Sequence, residues 1–196
     1  MSLREQKAAK KKEDMIKSAV SIISEKGYHA TTMEDIASKL LMTKGSVYYY
    51  FKDKQDLLFQ SQKMLLEQSI AHIEKISNED LQIIEKLRKT MLVHIEYLIT
   101  ERTGFAMGVK PEQFFIGGQL AEILRLRNQY SEYIDDLLHV GIEQGVFAEV
   151  DIKIVRNIIL GAMNWVIEWY SPHGQKDKKG LAQSISMYLL RMLIKQ

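Results

Sequence analysis

The stretch Thr31-Thr32-Met33-Glu34-Asp35-Ile36-Ala37-Ser38-Lys39-Leu40-Leu41-Met42-Thr43-Lys44-Gly45-Ser46-Val47-Tyr48-Tyr49-Tyr50-Phe51 decides the fold. Thr31-x-x-Glu34 and Thr32-x-x-Asp35 are overlapping capping-box signals, in which a hydroxyl and a carboxylate satisfy the first N–H groups of a helix. Thr43 can cap a second, shorter helix in the same way. The two helices, Thr32 to Leu40 and Lys44 to Tyr50, are joined only by Leu41-Met42-Thr43, which is helix-turn-helix spacing. Such a unit presents its second helix to the major groove of a duplex.

That second helix has the side chains for the task. Val47 and Phe51 stand i,i+4 and can anchor it to a body, leaving Lys44, Gly45, Ser46, Tyr48, Tyr49 and Tyr50 around the other faces. Lys44 brings positive charge to a phosphate or a base edge, and Gly45 lets backbone approach closely. Ser46 and the tyrosine hydroxyls can donate to phosphate oxygens while the rings pack on sugars or thymine methyls. Thr32 and Thr43 bring helix N-termini toward a phosphate, and Lys54 can clamp the flanking backbone.

Working outward, apolar residues recur at helical spacing nearly throughout, as in Ile16, Ala19, Ile23 and in Ile84, Leu87, Met91, Ile95, Leu98. No period-2 strand and no internal repeat is present, so the chain reads as all-α, with about nine helices. One helix runs from near Glu13 to Gly27, and Asp53 with Asp56 opens a fourth that extends to Lys75. Others fit Leu81 to Thr100, Arg102 to Gly108, Pro111 to Gln144, Asp151 to Tyr170 and Leu181 to Ile194. Gly145 and Pro172 are natural terminators.

Composition agrees. The chain has 196 residues, 46% apolar and 27% charged, with only 2 prolines and 11 glycines, which leaves little material for hairpins and long loops. With no cysteine, a disulfide framework, a thiolate metal site and a thiol nucleophile are all excluded, and a cytoplasmic setting fits. The greasiest stretch, Ile152 to Tyr170, is broken by Lys153, Arg156 and Glu168, so no membrane span and no secretory signal is expected. Residues 1–54 hold 11 Lys/Arg against 7 Asp/Glu, and the remainder 16 against 18, out of totals of 27 and 25. A basic head on a near-neutral body is the charge pattern of a protein that meets a polyanion. For Lys10, Lys11 and Lys12 a solvated tail and an arm touching phosphate or minor groove both fit.

The stretch Thr31 to Ala37, followed by Thr43-Lys44-Gly45-Ser46-Val47-Tyr48-Tyr49-Tyr50-Phe51-Lys52-Asp53-Lys54, resembles the DNA-binding domain of the TetR (tetracycline-repressor) family over residues 13 to 60. The resemblance implies a dimeric helical repressor whose C-terminal body binds a small ligand and thereby releases DNA. It carries DNA contacts onto Thr32, Met33, Thr43, Lys44, Gly45, Ser46, Tyr48, Tyr49, Tyr50 and Lys54. Leu41 stands where that family usually has a turn glycine, and would have to adopt a left-handed conformation at a cost of roughly 1 kcal/mol. The implied division is a helix-turn-helix domain with a basic arm over residues 1–53 and an effector-binding, dimerising domain over 54–196.

The body shows no catalytic constellation. His29, His72, His94, His139 and His173 are scattered and form no metal-ligand pair, and no nucleophile elbow, Walker loop or dinucleotide fingerprint occurs. No enzyme, metal or cofactor is expected. Large soft side chains, Tyr97, Phe105, Met107, Phe114, Phe115, Trp165 and Trp169, could line a pocket for an apolar ligand, with His94, Asn164 and Glu168 as polar orienting groups. The same stripe is also what a helical core looks like. In the resembled family a short helix at Gly104 to Gly108 links pocket to DNA head, so ligand binding is expected to pivot the helix from Lys54 to Lys75.

The last two long helices are apolar on more than one face. Ile158, Gly161, Ala162, Trp165, Ile185, Tyr188 and Met192 are candidates for a two-fold interface with a second copy, against plain burial within one chain. The segment Leu160 to Trp165, continuing through Trp169-Tyr170-Ser171-Pro172, looks like the C-terminal half of TetR-family members that govern fatty-acid or acyl-CoA metabolism. That resemblance implies an acyl-CoA or lipid-like effector, with a multidrug-type ligand as alternative. The expected function is a ligand-responsive repressor bound to a palindromic operator as a homodimer. A helical protein–protein adaptor with a basic head is the competing reading.

Overall fold

The computed structural model describes residues 2–194, which form ten α-helices and one 3-10 turn: α1 (Leu3–Lys26), α2 (Met33–Lys39), α3 (Lys44–Tyr50), α4 (Lys54–Ser77), α5 (Ile83–Thr100), α6 (Arg102–Met107), the turn Pro111–Gln113, α7 (Gly117–Glu143), α8 (Ile152–Asn164), α9 (Val166–Trp169) and α10 (Lys178–Arg191). The fold is all-α, and among the described residues no strand forms beyond a single bridge between Phe147 and Ile194.

The contacts divide the chain into two compact units, residues 1–65 with 103–123, and residues 66–102 with 124–196. In the first unit α1, α2 and α3 close over Ile16, Ala19, Ile23, Ile36, Val47 and Phe51, all buried. Segment 103–123 belongs to this unit: Phe114 meets the Tyr28 ring edge-on at 5.1 Å, and Phe115 meets Phe59 at 6.0 Å. Buried Gln62 on α4 donates to the Gly104 carbonyl at 2.8 Å.

In the second unit α5 is the central element, packed by α8, α9 and α10. Its buried stripe is Ile83, Leu87, Thr90, Met91, Ile95 and Leu98. Gly141 on α7 sits beneath fully buried Phe147: a Cβ built on Gly141 would lie 2.0 Å from the ring. Phe147 is delivered there by the turn that ends α7, where Gly145 takes φ 69° and the Val146 N–H bonds back to the Gly141 carbonyl.

Several helix limits differ from the sequence expectation. α1 begins at Leu3 with a Ser2–Glu5 capping box, so Lys10, Lys11 and Lys12 lie within a helix and not in a disordered tail. Of the two overlapping capping boxes, Thr32–Asp35 forms, whereas buried Thr31 donates instead to the Gly27 carbonyl. The long helix expected from Pro111 begins only at Gly117, after a 3-10 turn. The helix expected from Asp151 to Tyr170 breaks at Trp165 into α8 and α9. The last helix starts at Lys178, where Asp177 supplies the cap. Among the described residues no helix is long and apolar enough to cross a membrane.

Candidate functional site

The helix-turn-helix is built from three local devices. Thr32 and Asp35 cap α2 reciprocally, and the Thr43 hydroxyl accepts from the Ser46 N–H at the start of α3. Between them, the Leu41 N–H bonds to the Ser38 carbonyl and the Met42 N–H to the Ala37 carbonyl. That is a complete Schellman ending, with Leu41 at the left-handed position at φ 52° and 95% exposed. The expected departure from a turn glycine is thus met by Leu41 itself adopting the glycine conformation.

The ten candidate DNA contacts do not share one environment. On α3, Tyr49 is 84% exposed, Lys44, Gly45 and Tyr48 are exposed, and Val47 is fully buried beneath them. No atom lies near a Cβ built on Gly45, so backbone is open to an approaching surface. Ser46 is half-buried and bonded to Thr43, and Tyr50 is half-buried against the core of the first unit. Thr32 and Thr43 are exposed at their caps. Met33 is buried, so its side chain anchors α2 rather than facing solvent. Lys54 turns inward: its ammonium donates to the Thr31 carbonyl at 2.6 Å and to the Tyr28 carbonyl, and stands 4.4 Å from the centre of the Tyr28 ring.

Two ion pairs brace the helix-turn-helix. Lys26 bonds Asp35 at 2.8 Å, and with the capping hydrogen bonds this holds the Asp35 carboxyl down to about 2. Lys44 bonds Glu34, which keeps the Glu34 carboxyl below and the Lys44 ammonium above their ordinary values. The two ion pairs hold both lysine side chains in defined directions.

The candidate ligand residues separate. Phe105, Met107, Phe114 and Phe115 fall in the first unit, with Phe115 fully buried and Met107 packed on the core of α1 to α3. His94, Tyr97, Asn164, Trp165, Glu168 and Trp169 fall in the second. Trp165 is 65% exposed, and Trp169 and Glu168 are exposed too, so these three line no enclosed space within that unit. His94 and Tyr97 do line a narrow cavity, with room of only about 10 Å³, together with Ser69, His72, Ile73, Ile76, Thr90, Val93 and Tyr130.

The cavity wall is a polar network. Asn164 Oδ1 can only accept, so the His94 Nε2–H donates to it at 3.0 Å, and His94 Nδ1 accepts from the Tyr130 hydroxyl at 2.8 Å. Burial holds the His94 imidazole down to about 4 and raises the Tyr130 hydroxyl, so both are neutral. Tyr97 donates to Gln68 and meets His72 edge-on at 5.0 Å. Two atoms on this wall, His72 Nδ1 and Thr90 Oγ1, are buried with no hydrogen-bond partner, and Thr90 is only 2% exposed. Unpaired buried polar atoms are costly and mark a place for a polar guest. Sequence reading missed Thr90, His72 and Tyr130. The available signal was the hydroxyl of Thr90 interrupting the apolar stripe Ile83, Leu87, Met91.

The candidate interface residues lie in the second unit. Ile154, Ile158 and Gly161 on α8, and Trp165 just past its end, are exposed at helical spacing, and Ala162 is half-buried. On α10, Met187 and Tyr188 are exposed and Ile185 is half-buried, and Met192, just past its end, is exposed. Among the described residues no group of three or more His, Asp or Glu is placed to hold a metal ion.

Residues 15–60 match the family model of bacterial regulatory proteins of the tetR family, and residues 80–193 match that of the tetracyclin repressor-like C-terminal domain. A fatty acid metabolism regulator protein of Bacillus subtilis (strain 168) is 27% identical over 176 residues, which span 87% of this chain and 89% of the relative. Among solved structures, the TetR-family transcriptional regulator PfmR from Thermus thermophilus is similar with a TM-score of 0.83 and 28% identity, over 92% of this chain and 99% of that one. The fatty acid degradation regulator FadR from Bacillus halodurans gives a TM-score of 0.74 and 25% identity, over 91% and 94%. The matched models describe regulators, not enzymes, and with one of them spanning more than half of the sequence, the chain belongs to the TetR family of transcriptional regulators.

Proposed function

We propose that this regulator binds a palindromic operator as a cytoplasmic homodimer, with residues 1–53 carrying the DNA contacts and residues 54–196 the effector and dimer functions. Lys44, Gly45, Tyr48 and Tyr49 read the operator, and a small, largely apolar effector of acyl-CoA or lipid-like type releases it. The observation that carries the DNA reading is the polarity of α3: Val47 is fully buried while Tyr49 is 84% exposed on the same short helix. An aromatic with a hydroxyl held in solvent beside an exposed lysine suits sugar, phosphate and thymine-methyl contact. The exposed apolar residues of α8 and α10 support the homodimer, since such patches on a lone chain are a liability.

Two observations support the effector class. The B. subtilis and B. halodurans relatives are regulators of fatty acid metabolism and degradation. Within the chain, Thr90 Oγ1 and His72 Nδ1 offer hydrogen bonds to a carbonyl set at the end of an apolar chain. With only about 10 Å³ of room the cavity is far below the roughly 300 Å³ of typical ligand pockets, so an acyl chain has to open it. Widening shifts helices, including α4, which carries His72 and supplies residues to both units. That is a route to release.

Selection of bound duplexes from a random pool near physiological salt tests the reading, because non-specific binding is then suppressed. The expected result is an enriched palindrome with half-sites about one helical turn or more apart. Straight-chain acyl-CoAs of increasing length are then expected to release it. Failure of any sequence to enrich, with or without acyl-CoA, overturns the operator reading.

A further inference from the structure

Glu34 is the second residue of α2 and Lys44 the first of α3, and their side chains close an ion pair across the helix-turn-helix. Both are open to solvent, at 58% and 56% side-chain exposure. An exposed pair of this kind is worth about 0–1 kcal/mol to stability. The fold does not need it. The α2 cap is already complete through Thr32 and Asp35, and Asp35 has its own partner in Lys26. Lys44 is held from a second side by the Tyr48 ring, 5.7 Å from its ammonium.

The position matters more than the energy. The Glu34 carboxylate, in the first turn of α2, occupies the ammonium of Lys44. For Lys44 to reach DNA the pair must open, leaving Glu34 facing a polyanion. This cost is the same on every duplex, so it lowers affinity for DNA as such and leaves the preference between sequences unchanged.

We infer that Glu34 attenuates the affinity of the head for DNA: its carboxylate occupies the ammonium of Lys44 and has to be displaced before that lysine can reach a phosphate. The inference rests on the reading of Lys44 as a DNA contact.

The test is binding of a random-sequence duplex across a salt series by the wild-type protein, Glu34→Gln, Lys44→Gln and the double variant. Glu34→Gln is expected to tighten binding two- to fivefold per head, the equivalent of one exposed ion pair, and to steepen the slope of log K against log salt by about 0.9 per head. The gain is expected to vanish in the double variant, because it acts through Lys44. Unchanged affinity and slope in Glu34→Gln, with Lys44→Gln weakened, overturns the inference while leaving the DNA reading intact. A gain that persists in the double variant also overturns it, since simple loss of negative charge then accounts for the effect. If neither single variant differs from wild type, Lys44 is not at the DNA, and both readings of that residue fall. Equal thermal midpoints of wild type and Glu34→Gln are the check that the head is folded.

Discussion

The ammonium of Lys54 stands over the ring of Tyr28, 4.4 Å from its centre, and donates to the carbonyls of Tyr28 and Thr31. A lysine that the sequence offers to a phosphate is therefore engaged in fastening the link between α1 and α2 to the start of α4. Lys54→Met is expected to destabilise the protein by about 1–3 kcal/mol, because charge-assisted bonds to part-buried carbonyls are lost. Urea unfolding measures it. An unchanged stability accompanied by a salt slope for DNA binding reduced by about 1 would instead put Lys54 on a phosphate.

Leu41 and Gly145 occupy the same position of the same helix-ending turn, at φ 52° and φ 69°. Only one of them is built for it. A side chain in the left-handed region costs roughly 1–2 kcal/mol, part of which is returned by the lower unfolded-state entropy of leucine relative to glycine. Leu41→Gly is therefore expected to gain about 0.5–1 kcal/mol in urea unfolding, with no packing lost since Leu41 is 95% exposed. A loss of stability would mean that Leu41 makes a contact that outweighs its backbone.

Tyr49 is 84% exposed and touches Tyr50 edge-on at 5.2 Å. Tyr49→Ala is expected to weaken operator binding by about 1–3 kcal/mol with little change in thermal midpoint. Tyr50→Ala, which removes a half-buried ring from the core of the first unit, is expected to lower the midpoint as well. Comparing the two by melting and by operator titration separates DNA contact from scaffold.

The all-α class and the helix-turn-helix were legible because capping residues and apolar periodicity are local signals. Thr32 and Thr43 cap as their spacing predicts, and Leu41 takes the left-handed conformation that the family resemblance implied. Other features depend on what the chain meets elsewhere. Met33 and Lys54 have residue types suited to DNA, yet burial of the first and the carbonyls facing the second are set by tertiary packing that no window of sequence contains. Phe114 and Phe115 read as pocket lining, but an aromatic in a core and one in a pocket carry the same pattern. Thr90 was visible as a hydroxyl in an apolar stripe, while its lack of a partner could be known only from the neighbouring helices.

Gly141 lies against the fully buried ring of Phe147, where a Cβ would come within 2.0 Å of a ring carbon. A ring enclosed on all sides cannot swing aside as a flexible side-chain end can. Gly141→Ala is expected to cost about 1–3 kcal/mol through overpacking, offset slightly by alanine's better helix propensity. Phe147→Leu makes room, so the double variant Gly141→Ala/Phe147→Leu is expected to be more stable than the sum of the single changes implies. Strict additivity in urea unfolding would show that the close approach stores no packing.

His94 sets a pH dependence whose sign follows from its hydrogen bonds. Its folded-state pKa is lowered from 6.5 to about 4, chiefly by burial, with the bond to Asn164 opposing the shift only in part. Between those values the unfolded chain binds a proton at this residue and the folded chain does not. Stability is therefore fully present above pH 6.5 and is lost as the pH falls toward 4, by at most about 3 kcal/mol from this residue. His94→Gln cannot titrate and removes that slope. Unfolding free energies of wild type and His94→Gln, measured across about pH 4 to 7.5, are expected to converge on acidification. A constant gap between them would mean that His94 takes up a proton in the folded protein as easily as in the unfolded chain, and that the Tyr130–His94–Asn164 network does not hold it neutral.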